Sequence, residues 1–106
     1  LPRKIPDLVF DVVTDGKIQK IAVEVELIYK SRIRYLEIFK LYEKSNISHV
    51  FYLCAPKTLL SRVKRWCTSN KIHFATWEDF KTLGMDCPFK SKNAPIQSLS
   101  EFLKTN

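Results

Sequence analysis

Two runs rich in β-branched residues, Leu8–Val13 and Ile18–Leu27, flank Thr14-Asp15-Gly16-Lys17. Asp-Gly suits the two positive-φ centres of a type I′ turn, so the pattern predicts a hairpin with strands at 8–13 and 18–27. From Ser31 to Ser45 the period changes. Ile33, Leu36, Phe39 and Tyr42 are spaced three apart, and Tyr35, Ile38 and Leu41 widen the apolar face. That spacing predicts a helix largely covered by protein, with Asn46 as its C-cap. Val50-Phe51-Tyr52-Leu53-Cys54 is a short, nearly all-apolar run and reads as a buried central strand.

Pro56 opens a second helix in its first turn, where a missing N–H costs least. Leu59, Leu60, Val63, Trp66 and Cys67 give it one apolar face, and Lys57, Arg62, Lys64 and Arg65 fall elsewhere on it. Ile72–Ala75 reads as a short strand and Trp77–Leu83 as one or two helical turns. Beyond Gly84 the pattern weakens. Cys87-Pro88 and Ala94-Pro95 punctuate an expected loop, and Leu99, Phe102 and Leu103 suggest a short C-terminal helix. The order is β-hairpin, helix, strand, helix, strand. A helix between strands implies a parallel crossover, so the expected fold is a mixed sheet flanked by helices, of α/β or α+β class. Residues 1–84 form the expected core, and residues 85–106 a C-terminal loop and short helix of the same domain.

The hairpin register places charge where a strand does not need it. With Asp15-Gly16 as the loop, Thr14 faces Lys17, Asp11 faces Lys20, Val9 faces Ala22 and Asp7 faces Glu24. Side chains alternate, so Asp7, Glu24 and Glu26 share one face. Two carboxylates about 5 Å apart repel by about 3 kcal/mol at an effective dielectric near 20. Either a hard divalent cation or a basic side chain must offset that. Lys30 and Arg34, one helical turn apart after Glu26, are the basic candidates. A salt-bridged surface patch would share this composition. Against it, Glu24 and Glu26 interrupt the apolar run Ile21–Leu27.

Composition narrows the partners. The 106 residues carry a net charge of +7 and are 45% hydrophobic, enough for one domain with its own core. No apolar run approaches a membrane span. Such a basic domain meets nucleic acid first and a membrane surface second; charge kept only for solubility is the bland alternative. A membrane partner is not expected, because the basic residues are spread over several elements rather than along one amphipathic helix. Cys54, Cys67 and Cys87 are neither a disulfide framework nor a zinc knuckle, and they point to the reducing cytoplasm. Cys54 and Cys67 read as core. His49 and His73 stand isolated in sequence and read as structural or surface residues. Phe10, Phe39, Phe51, Trp66 and Phe74 read as core, while Tyr29, Tyr35 and Trp77 stay open. The chain starts on Leu1 without a charged-then-apolar leader, so no signal peptide is expected, and a longer chain with a preceding domain is.

Pro6-Asp7, a hairpin, Glu24-Val25-Glu26 and a following helix together resemble the PD-(D/E)xK nuclease superfamily, of restriction-endonuclease-like fold. The resemblance covers roughly residues 5–76. More narrowly, Ile5-Pro6-Asp7-Leu8-Val9-Phe10, Val23-Glu24-Val25-Glu26-Leu27 and Lys30-Ser31-Arg32-Ile33-Arg34-Tyr35 are similar to the replication-relaxation and MobC-type proteins of plasmids and mobile elements.

This resemblance implies a restriction-endonuclease-like mixed sheet that follows an N-terminal DNA-binding domain. It implies magnesium- or manganese-dependent cleavage of DNA in plasmid replication or mobilisation. By position, Asp7 matches the first acid of the motif and Glu24 the second, both as metal ligands. Glu26 stands where the motif has Lys, and Lys30 is the migrant that would complete a catalytic set of Asp7, Glu24, Glu26 and Lys30. Lys30, Arg34, Lys57, Arg62, Lys64 and Arg65 would hold the nucleic-acid backbone. A relaxase or replication protein and a second copy of the chain are the further partners implied. The alternative is an inactive DNA-binding or protein-interaction module of a relaxosome or replication complex.

Overall fold

A computed structural model describes residues 6–92 and 97–105. The hairpin forms in the expected register. Strands β1 (Leu8–Thr14) and β2 (Lys17–Glu26) pair antiparallel, with Asp11 opposite Lys20 and Val9 opposite Ala22. Asp15 and Gly16 take φ values of 49° and 76°, the left-handed region that a type I′ turn demands. Helix α1 (Arg32–Lys44) then leads to β3 (His49–Cys54), and α2 (Lys57–Trp66) to β4 (Ile72–Thr76). β2, β3 and β4 run parallel, giving one four-stranded mixed sheet in the order β1-β2-β3-β4. The molecule is therefore of mixed α and β class, a four-stranded sheet with helices packed on it.

The alternation of each strand sorts its side chains onto two faces. Ala22, Val50, Tyr52, Cys54, Ile72 and Phe74 face α1 and α2. Ile21, Phe51, Leu53 and Ala75 face the other way. The chain beyond β4 covers that second face. Helix α3 (Trp77–Leu83) passes through a single 3-10 turn (Gly84–Asp86) into β5 (Pro88–Phe89), which pairs with β6 (Gln97–Ser98) ahead of α4 (Leu99–Thr105). Cys87, Phe89, Leu99 and Phe102 complete the second core. The expected loop after Gly84 is thus partly a two-stranded ribbon, tied to β4 by the Phe74–Lys90 bridge. Ala94-Pro95 lies outside the described residues.

Three local expectations need correction. α1 buries Tyr35, Ile38, Phe39 and Tyr42, whereas Ile33 and Leu36 are exposed. Steps of three fall short of the 3.6-residue turn, so a strict three-residue row drifts off the buried face; the 35, 38, 39, 42 pattern stays on it. α1 is capped by Ser31, whose Oγ accepts from Arg34 N at 3.2 Å, and at its other end by Ser45 instead of Asn46. Pro56 is the N-cap of α2 and not its first helical residue. Of the aromatic residues left open, Tyr35 is fully buried, Trp77 half-buried and Tyr29 exposed.

The C-terminal end of α1 is closed by Lys71. Its ammonium donates to the carbonyls of Tyr42 (2.9 Å), Glu43 (3.2 Å), Ser45 (3.3 Å) and Ile47 (2.9 Å). A cation at this end meets the unsatisfied carbonyls of the last turn and the negative pole of the helix.

Candidate active site

β1 and β2 are antiparallel, so the residue before β1 lies beside the end of β2. Asp7 sits there, with its Oδ2 accepting from the backbone N–H of Val25 at 2.7 Å. Glu24 and Glu26 occupy alternate positions on β2 and share the face covered by α1. They are 2% and 4% exposed, so both carboxylates are core groups, while Asp7 is exposed. Lys30 lies between β2 and α1 and reaches back over Glu26, with Nζ at 2.6 Å from each carboxylate oxygen. Asp7, Glu24, Glu26 and Lys30 therefore gather at one end of the sheet from three chain segments.

The helix and the neighbouring strand supply the rest of the shell. Tyr42 of α1 donates its hydroxyl to Glu24 Oε2. Tyr52 of β3, registered against Glu24, donates to Glu26 Oε2 at 3.3 Å. Tyr35 of α1 accepts the Lys30 backbone N–H at 3.2 Å on its hydroxyl. All three phenols stay protonated. Burial, and after it the charge of Glu26, pushes Tyr35 up to about 12. Tyr42 is raised by burial first and then by Glu24, with Asp7 adding to it. Tyr52 is raised by burial and then by Glu26 and Glu24. Cys54 at the end of β3 is no nucleophile: burial and the Glu26 charge raise its thiol to about 12.

Sequence reasoning misses the tyrosines as site residues. A signal for them exists, since a Tyr on a core-facing helix or strand position needs a partner for its hydroxyl. Here the partners are the two glutamates that interrupt β2.

The basic residues are spread over the turn after β2 and helices α1 and α2. Lys30 is committed to Glu26. Arg34 lies in the first turn of α1 and Lys57 in the first turn of α2. Lys57 also lines a cleft of about 670 Å³ beyond the C-terminal ends of β3 and β4, with Leu27, Pro56, Thr58 and Asp79 among its other walls. Arg62, Lys64 and Arg65 sit further along α2, at about 1.5 Å of rise per residue from Lys57. Arg32, in the first turn of α1, rests its guanidinium 5.9 Å from the Trp66 ring centroid.

Among the described residues, no group of three or more His, Cys, Asp or Glu side chains is placed to hold a metal ion. The two expected ligands, Asp7 and Glu24, are carboxylates, the hard oxygen donors that magnesium and manganese prefer. In donor chemistry the pair fits such an ion.

The histidines form a second cluster on the opposite face. Parallel pairing of β3 and β4 brings His49 Nδ1 to 3.0 Å from His73 Nε2. The two read as isolated in sequence because residues 24 apart are linked only by the strand pairing.

Compared with protein-family models, with curated proteins and with solved structures, the chain gives no match. Among the described residues no helix is long and apolar enough to cross a membrane.

Proposed function

We propose that this is a DNA-acting domain that hydrolyses phosphodiester bonds with a divalent cation, at a site made of Asp7, Glu24, Glu26 and Lys30. One observation carries the reading: two glutamates stand buried on a central strand, beside an exposed aspartate and under a lysine. Burying carboxylates costs free energy unless partners and a task retain them. Asp7 and Glu24 would hold magnesium or manganese. When bound, the cation supplies charge to a phosphate oxygen and activates water. In the hydrolysis, a water oxygen bonds to phosphorus as the bond from phosphorus to the sugar oxygen breaks, and the leaving oxygen takes a proton. Lys30 offers positive charge to the developing phosphate anion. Arg34 and Lys57 hold neighbouring phosphates without reading sequence.

The resemblance to replication-relaxation and MobC-type proteins sets this activity in plasmid or mobile-element replication or mobilisation. A second reading, a DNA-binding or protein-interaction module without turnover, is favoured by one feature. Lys30 engages both oxygens of Glu26, which neutralises that carboxylate within the chain. Calorimetry with magnesium and manganese, followed by plasmid nicking, separates the two readings. The nuclease is expected to bind the ion and nick, and Glu24→Ala to lose both. An intact protein that binds DNA but neither binds the ion nor nicks is the module.

A further inference from the structure

Glu26 meets a cation and a phenol: Lys30, whose side chain is 34% exposed, and Tyr52 at 3.3 Å. Glu24 accepts from Tyr42, which is 2% exposed and packed in the core with Ile38 and Phe39. The backbone of Tyr42 is itself clamped. Its carbonyl accepts from Ser45 N at 3.1 Å, Ser45 Oγ at 2.7 Å and Lys71 Nζ at 2.9 Å. A tyrosine has two side-chain torsions, so a ring fixed in the core aims its hydroxyl closely, whereas a glutamate has three torsions and takes its position from the groups it bonds to.

We propose that Tyr42 is a positioning residue of the site, fixing the Glu24 carboxylate beside Asp7 through its hydroxyl so that the pair can take a divalent cation. This rests on the nuclease reading above. Groups that hydrogen-bond a metal's ligands set the affinity for the metal, and their loss costs 10- to 100-fold in affinity or activity. A role in packing alone would leave that affinity in place, because phenylalanine keeps the ring.

The experiment compares the wild type, Glu24→Gln, Tyr42→Phe and a protein carrying 3-fluorotyrosine at position 42. Manganese affinity is read by calorimetry, plasmid nicking beside it, and the fluorine resonance of the substituted ring during a magnesium titration. Tyr42→Phe is expected to lose at least tenfold in manganese affinity. The fluorine resonance is expected to move as magnesium binds, and to stay in place when Glu24→Gln is added to the fluorinated protein. It decides the matter if Tyr42→Phe does not fold. If the wild type binds manganese and Glu24→Gln does not, but altering the phenol leaves affinity within twofold and the fluorine resonance does not respond to magnesium, the positioning role is overturned and the nuclease reading stands. If the wild type binds no manganese and nicks no DNA, both fall together.

Discussion

The sheet carries a polar cluster on each face, and the two are kept in opposite ways. On the helix face, Glu24 and Glu26 are supplied with donors: Tyr42, Tyr52 and Lys30. On the other face, His49 and His73 meet each other and aromatic rings. Phe102 packs edge-on to His49 at 5.1 Å, and Phe51 stacks on His73 at 5.1 Å. Burial, and after it the neighbouring His49, lowers His73 to about 4, and burial together with the Lys71 charge lowers His49. The histidine pair is thus tolerated by giving up charge, which is cheap for imidazole near neutrality. The carboxylates are met by a lysine and two phenols. A core group that can shed its charge needs no further explanation, while a charge surrounded by purpose-placed donors asks for one.

The largest expected effect comes from breaking the charged cluster on one side only. Lys30→Met leaves Glu26 buried beside Tyr52 without its cation. Unfolding by urea should show a loss of about 3 kcal/mol, at the lower end for a broken buried pair because Lys30 is partly exposed. Replacing both partners, Lys30→Met with Glu26→Met, should recover most of that loss. If the double variant is as stable as the wild type and nicks no DNA, the charges serve function. If the double variant is instead less stable than Lys30→Met, they serve the fold, and the contrast with the histidine face disappears.

The histidine face should respond to pH. The folded His73 titrates near 4, below the ordinary histidine value of 6.5. Its folded pKa is depressed, so the unfolded chain takes up the proton first. The stability that neutral His73 provides is present above about pH 6.5 and is lost as pH falls from there toward 4. Between pH 7 and pH 5 this amounts to about 2 kcal/mol. His73→Phe should flatten that slope in urea titrations at pH 7, 6 and 5. A wild-type slope that survives the substitution would place the acid sensitivity elsewhere, in the carboxylates first.

The sequence revealed the frame better than its contents. Asp15-Gly16 and the β-branched flanks fixed the hairpin register residue by residue, because one residue of slip would expose every buried side chain. That register was enough to bring Asp7 to the end of β2, where it accepts from Val25, and to put Glu24 and Glu26 on one face. Lys30 was legible too, as the first cation after β2. The tyrosines were harder, since Tyr35 and Tyr42 sit where a helix buries rings of any kind and only the hydroxyl distinguishes them. The His49–His73 pair was out of reach, because it depends on the parallel register of β3 and β4. No local pattern encodes that register; it is set by the lengths of α2 and its loops. The C-terminal ribbon escaped for a related reason. Two-residue strands leave no period to read, and the tie between Lys90 and Phe74 is again non-local.

Lys71 offers the smallest and most delicate test, because it touches both clusters. Its ammonium closes the last turn of α1, including the Tyr42 carbonyl, and its charge lowers His49. Lys71→Met keeps the aliphatic stem and removes the donor. Water can replace part of the lost bonding at this half-buried site, so the expected loss is about 1 kcal/mol, comparable to a helix-end charge. Two further changes should accompany it. His49 should titrate at higher pH when followed by NMR, because a repelling cation is gone. Manganese affinity should fall modestly, by less than the Tyr42→Phe effect, because the backbone that aims the phenol loses one of its three donors. If His49 shifts while manganese affinity does not, the two faces of the sheet are independent, and the Ser45 bonds alone suffice to hold Tyr42.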